Sequence, residues 1–282
     1  MFDIDTLLDE VVTLPSMPDS LARITQLIND PDGSMAEVGK AISADPSIAL
    51  KTLRLVNSVY YGLDQKVSTV EHAVVLLGAK VVKNMVLSAT VFDTIRGGAD
   101  VFMRHSAACG VAMRTLAGVG HLDAYFDDSE EAFLYGLLHD IGKVIFQQYL
   151  PQEYGEVGEK AAEEGLPWFE AERAIIGVDH AELGACLAAK WKLSAQIVNA
   201  IAGHHDTERA EDSFRPLAAN LMIADYICTV CGFVSHEGAV VTVPEAAWGQ
   251  SMLTGSAAMR VMDTFFGALP DVEELVQISA QT

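Results

Sequence analysis

The strongest constraint on this chain's fold is a recurring set of helix-start and helix-stop signals with almost no alternating stretches between them. Ser34-x-x-Glu37, Ser68-x-x-Glu71 and Asp179-x-x-Glu182 have capping-box spacing, in which two side chains satisfy amides at a helix start. Proline stands where a first turn tolerates it, at Pro15 and Pro18, at Pro46 after Asp45, and at Pro216. Apolar residues then return every three or four positions, as in Leu21, Ile24, Leu27 and Ile28. Asp30-Pro31-Asp32-Gly33, Asn57-Ser58 and Gly78 read as stops. The one strand-like patch, Val240–Val243, is expected to be a loop. The spacing predicts an all-α fold. After five short helices up to Ile95, longer ones are expected over about 100–118, 130–148, 151–164, 168–176, 180–191, 195–203, 216–232 and 257–266. Arg96-Gly97-Gly98 reads as the seam between helical subdomains 1–97 and 98–282.

Half of the 282 residues are hydrophobic and 20% are charged, which suits a sizeable core. The net charge of −21 excludes function classes that need a basic face. Neither a nucleic-acid groove nor an anionic membrane surface is an expected partner. A phosphate ligand would need local positive charge from metal ions or a few Lys and Arg. No apolar run reaches spanning length, and the acidic start MFDIDTLLDE lacks a basic n-region, so a cytoplasmic protein is expected. The cysteines, Cys109, Cys186, Cys228 and Cys231, show no disulfide-framework spacing. Cys228 and Cys231 form a CxxC without a second pair, in an apolar helical run, and read as packing residues.

Against this background LLHDIGKVIF, residues 137–146, is anomalous. His139 and Asp140 lie adjacent in the most apolar helical stretch, where unpaired polar groups are costly to bury. Gly136 and Gly142 flank the pair, each costing about 1 kcal/mol in a helix interior relative to alanine. They leave room for a ligand or let another helix approach. His105 and Asp225 stand in further apolar helical settings, with His180 and the pair His204-His205 at intervals between them. Each has an ordinary reading: a lone buried histidine as a satisfied core residue, His204-His205 as a pair favoured by a helix C-terminal dipole, and Asp225 as an acceptor from Tyr or Thr. Together they suggest mixed nitrogen and oxygen ligation of iron, manganese or zinc. One carboxylate can bridge two ions, and two ions can clamp a phosphate.

HDIGK at 139–143, with His105 before it and Asp225 after it, resembles the HD superfamily of metal-dependent phosphohydrolases. The first half resembles a related group of bacterial signalling proteins, the HDOD family. The carriers are LPSMPDSLARITQLINDPDGS from Leu14, ISADPSIALKTLRLVNSVYYG from Ile42 and STVEHAVVLLGAKVVKNMVL from Ser68. The resemblance covers about residues 10–235 and implies a multi-helix HD-like bundle with an N-terminal helical HDOD subdomain. Asn57, Tyr60 and Tyr61 fit its motif, with turn and packing roles sufficient.

Similarity to the HD-GYP branch, which cleaves cyclic dinucleotides, implies two divalent metal ions, with iron or manganese favoured and zinc allowed. One would take His105, His139, Asp140 and Asp225. The other would share Asp140 and take His180, His204 and His205. Lys143 matches a family lysine that contacts phosphate or acts as an acid. The chain departs from that branch in three ways: no GYP follows His204-His205, Val101 replaces an acidic ligand, and the gap to Asp225 is short. A third ion and cyclic-di-GMP specificity are therefore not expected. The resemblance implies a signal-transduction protein with a protein partner. The alternative is an active phosphodiesterase or phosphohydrolase on a nucleotide or cyclic nucleotide.

Overall fold

Capping explains how the N-terminal helices begin. The structure, a computed structural model, describes residues 19–30, 34–58, 61–63, 65–95, 100–119, 122, 125, 129–236 and 242–280. The N-terminal elements are α1 (Asp19–Asn29), α2 (Met35–Ser43), α3 (Pro46–Val56), α4 (Val70–Leu77) and α5 (Ala79–Ile95). Ser34 and Glu37 form the expected capping box on α2. Asp45 accepts from the amides of Ser47 and Ile48 at 3.0 and 3.2 Å, with Pro46 in the first turn of α3. The expected box at Ser68 is displaced by one residue. Thr69 caps α4, accepting from the His72 amide at 3.1 Å. Asn57 ends α3 and also holds the following loop, through the Leu53 and Val67 carbonyls and the Val67 amide. The signals at Pro15 and Pro18, residues 31–33, Tyr60, residues 96–98 and 240–241 lie outside the described residues.

The chain divides into two compact units, one from residues 15–96 with 268–282 and the other from 97–267. This departs from the expected split at the C-terminus. Helix α16 (Leu269–Ala280) belongs to the first unit, where it packs on α3 and α5 and buries Val272 and Leu275. The buried core of this unit also includes Ile42, Leu55, Val56 and Met85.

The second unit holds α6 (Asp100–Val119), α7 (Ser129–Leu138), α8 (Ile141–Tyr149), α9 (Pro151–Glu164), α10 (Trp168–Ile175), α11 (His180–Lys190), α12 (Ala195–Gly203), α13 (Arg215–Val230), α14 (Glu245–Gln250) and α15 (Gly255–Gly267). Helices α6, α7 and α13 pack together, and α11 packs on α8 and α12. The expected single helix over 130–148 is two helices, broken at His139 and Asp140. Two backbone contacts account for the flanking glycines. A Cβ on Gly136 would lie 2.1 Å from the Cys109 carbonyl oxygen, and one on Gly142 would lie 2.1 Å from the His180 carbonyl oxygen. The glycines thus admit neighbouring helices on both sides of the break. No strand occurs among the described residues, and no helix there is long and apolar enough to cross a membrane.

Candidate metal centre

Four imidazoles of the second unit are each aimed by a hydrogen bond at Nδ1. His105, in the second turn of α6, donates from Nδ1 to the Phe233 carbonyl at 2.7 Å. His139 donates from Nδ1 to the Gly136 carbonyl at 2.7 Å, and His204 to the Ile201 carbonyl at 2.6 Å. His180 opens α11. Its amide and Nδ1 both donate to Glu172 Oε2, at 2.8 and 2.6 Å. Asp179 steadies that helix start, accepting from the Glu182 amide at 2.9 Å and from Arg173 and Arg209. With Nδ1 protonated toward these acceptors, Nε2 is the nitrogen left to bind a cation or to take up a second proton.

The four Nε2 atoms point at one another or at carboxylate oxygens. His105 Nε2 lies 3.3 Å from His139 Nε2, 3.3 Å from Asp225 Oδ1 and 3.5 Å from Asp140 Oδ2. His180 Nε2 lies 3.3 Å from His204 Nε2, 3.1 Å from Asp140 Oδ1 and 2.8 Å from His205 Nε2. Asp140 therefore turns Oδ2 toward His105 and His139, and Oδ1 toward His180 and His204. It stands at the N-cap of α8 but makes no side-chain cap hydrogen bond. Its carboxylate is committed to the imidazoles and to Lys143, whose Nζ donates to Oδ2 at 2.7 Å.

All seven expected positions thus converge, and the arrangement fits two cations. A cation about 2.1 Å from two ligand nitrogens separates them by about 3.4 Å at a tetrahedral angle and about 3.0 Å at a right angle. The 3.1–3.5 Å spacings match those edges. Asp140 Oδ1 accepts no hydrogen bond while His180 is neutral, a cost that a cation, or a proton on His180 Nε2 at 3.1 Å, would remove. Two groups could hold an ion: His105, Cys109, His139 and Asp225, and Asp140, His180, His204 and His205.

Electrostatics reflects the same crowding. Burial pushes His139 down to about 3, so its imidazole is neutral. Burial also holds His205 well below the usual range, reinforced by His204. Burial opposes protonation of His105, but Cys109, Asp225 and Asp140 outweigh it and raise the group to about 10. At His180, Glu172 and Asp140 likewise outweigh burial and raise it to about 9. Asp140 lies well below the usual carboxylate range because His139, Lys143 and His180 overcome its burial. Without a cation, protons on His105 and His180 offset the buried carboxylates. One proton joins only two atoms, whereas each group gathers at least four ligand atoms.

Four contributors are not evident from the sequence. Glu172 lies eight residues before His180, at no recognised ligand spacing. Cys109 shares the apolar helical setting of an ordinary packing thiol. Ser235 accepts from Lys143 Nζ at 3.0 Å, and His236 packs against Trp168 with ring centroids 4.0 Å apart and planes tilted by 35°. With Phe169 and His205 these residues line a cleft of about 20 Å³ beside the imidazoles, room for roughly one water. The lone histidine at 236 gives no signal in sequence because no ligand-like spacing ties it to the others.

A family model described as the HDOD domain matches residues 14–207, well over half of the chain. An uncharacterised protein of Treponema pallidum (strain Nichols) is 27% identical over 220 residues, 77% of this chain. The chain spans 42% of that relative's length. An HDOD domain protein of unknown function from Geobacter sulfurreducens has a TM-score of 0.78 at 24% identity, covering 97% of this chain and 99% of that one. A candidate phosphohydrolase from Shewanella amazonensis SB2B has a TM-score of 0.72 at 23% identity, covering 98% of this chain and 97% of that one. These likenesses establish the helical fold, and with the family match over 14–207 they make the chain a member of the HDOD family.

Proposed function

We propose that the chain is a bacterial signal-transduction protein whose second unit carries a dinuclear divalent-metal site. The observation that carries this reading is Asp140, with one oxygen turned to His105 and His139 and the other to His180 and His204. Bound cations would supply positive charge for the buried carboxylates and Lewis acidity toward any phosphoryl oxygen that reached them. A regulatory role is favoured by the cleft. At about 20 Å³ it is far smaller than the 300–1,000 Å³ of ordinary ligand pockets. The metal state would be read by a protein partner. The net charge of −21 argues against nucleic acid and membrane.

A second reading, a metal-dependent phosphodiesterase or phosphohydrolase, is favoured by one feature. Lys143 lines the cleft beside the ligand cluster, where its ammonium would offset phosphate charge. Elemental analysis of the full chain after titration with Mn²⁺, Fe²⁺ or Zn²⁺ tests the centre. Two ions per chain are expected. Asp140→Ala should lose both, whereas His205→Ala should retain the ion at His105 and His139. Full occupancy in Asp140→Ala would refute the bridging assignment. Turnover of any nucleotide or cyclic dinucleotide by the metal-loaded protein, absent in Asp140→Ala, would replace the regulatory reading with the enzymatic one.

A further inference from the structure

Cys109 lies one helical turn beyond His105 on α6, and its Sγ is 3.6 Å from His105 Nε2. Its sulfur, the ligand nitrogens of His105 and His139 and an Asp225 oxygen all lie within 4.8 Å of one another, and all four residues are buried. A cation about 2.1 Å from an imidazole nitrogen and about 2.3 Å from a thiolate separates the two by about 3.6 Å at a tetrahedral angle. The sulfur therefore stands at a coordination edge, at a distance that also suits a weak sulfur–imidazole hydrogen bond while no ion is bound.

The backbone holds it there. The space a Gly136 side chain would need is taken by the Cys109 carbonyl, at 2.1 Å from the oxygen and 2.3 Å from the carbon. The Gly136 carbonyl in turn orients His139. One close approach of α6 and α7 thus registers Cys109 and His139 against the same point.

We propose that Cys109 is a thiolate ligand of the ion held by His105, His139 and Asp225. This rests on the dinuclear reading above and adds a soft donor to one of its two sites. On binding, the Cys109 S–H bond breaks, its proton passes to solvent and a sulfur–metal bond forms, with no change of oxidation state. The two sites then differ in chemistry. The first has two nitrogens, a sulfur and carboxylate oxygens; the second has three nitrogens and the shared oxygen. Thiolate favours zinc, cobalt(II) and iron(II) over manganese and magnesium, so the first site should select among metals.

Cobalt(II) substitution of the full chain tests this with the metal alone as probe. The wild type should show a near-ultraviolet thiolate-to-cobalt charge-transfer band. Cys109→Ser should lose the band while its second site still takes up cobalt, which also reports a folded second unit. Cys228→Ser should keep the band, since Cys228 is the buried cysteine beside Cys109. Zn²⁺ affinity at the first site should fall at least about tenfold in Cys109→Ser, with Mn²⁺ affinity changed less than about threefold. A cobalt-loaded wild type without the band, or a band that persists in Cys109→Ser, overturns the thiolate assignment and leaves the dinuclear centre standing. Failure of the wild type to load any metal overturns both. If Cys109→Ser fails to fold, the cobalt spectrum of Cys109→Ala and the wild-type preference for Zn²⁺ over Mn²⁺ decide the matter, and a wild type with no such preference refutes it.

Discussion

Gly142→Ala tests how the centre is held in register. A Cβ at this position would lie 2.1 Å from the His180 carbonyl oxygen and 2.8 Å from its carbonyl carbon and Cα. Ordinary contact is about 3.5 Å, so α8 and the start of α11 must part by more than about 1 Å. The obstructing atoms are backbone and cannot rotate aside. The upper end of the usual overpacking cost, about 3 kcal/mol, is therefore appropriate. Gly142 is the second residue of α8, where alanine's helix preference offsets less than its interior value of about 1 kcal/mol, leaving a net loss of about 2–3 kcal/mol. Gly155, in α9 of the same unit, supplies the control. A Cβ there would meet nothing within 4 Å, so Gly155→Ala should stabilise by about 1 kcal/mol. Urea unfolding of chelator-treated proteins measures both changes. Because the displacement moves His180 relative to Asp140, metal affinity at the His180 site should fall at least about tenfold in Gly142→Ala. A Gly142→Ala protein as stable as the wild type, with both ions bound, would refute the close-approach argument.

Three further outcomes are expected. Glu172→Gln removes the charge that accepts two hydrogen bonds from His180, and should weaken the His180 site about 10–100-fold while sparing the His105 site, as metal titration would show. Metal uptake should release protons. His105 and His180 of the metal-free protein hold theirs up to about 10 and 9, so affinity should rise from pH 6 to 8, and calorimetry in buffers of different ionisation enthalpy should detect the release. A pH-independent affinity would contradict this. Asn57→Ala deletes three hydrogen bonds in the N-terminal unit and should cost about 1–3 kcal/mol of that unit's stability, with metal content unchanged by elemental analysis.

Helix starts at Ser34, Asp45 and Asp179 were legible because a cap involves residues within three positions of one another. The seven candidate positions were legible partly because polar groups such as His105, His139, Asp140 and Asp225 in apolar helical settings require partners, and partly through the resemblance to the HD-GYP branch, which brought in His180, His204 and His205. Their convergence was not, because separations of up to 120 residues, from His105 to Asp225, are closed only by helix packing. The break at His139 and Asp140 was hidden for the same reason. Its apolar surroundings match one continuous helix, whereas at the turn the carboxylate faces imidazoles from the start of α11 and from just past the end of α12. Gly136 and Gly142 were visible as irregularities, but whether they admitted a ligand or a neighbouring backbone depended on where Cys109 and His180 came to lie.

Local chemistry in the sequence was enough to specify an all-helical chain, its caps and a set of residues that could not be buried alone. Tertiary packing supplied what spacing does not encode. It recruited α16 to the first unit, brought Glu172 behind His180 and turned the two oxygens of Asp140 toward different imidazole pairs. The physical reason is range. Capping and periodicity act within a turn or two of helix, whereas a ligand set is a property of surfaces that meet only after the helices have packed.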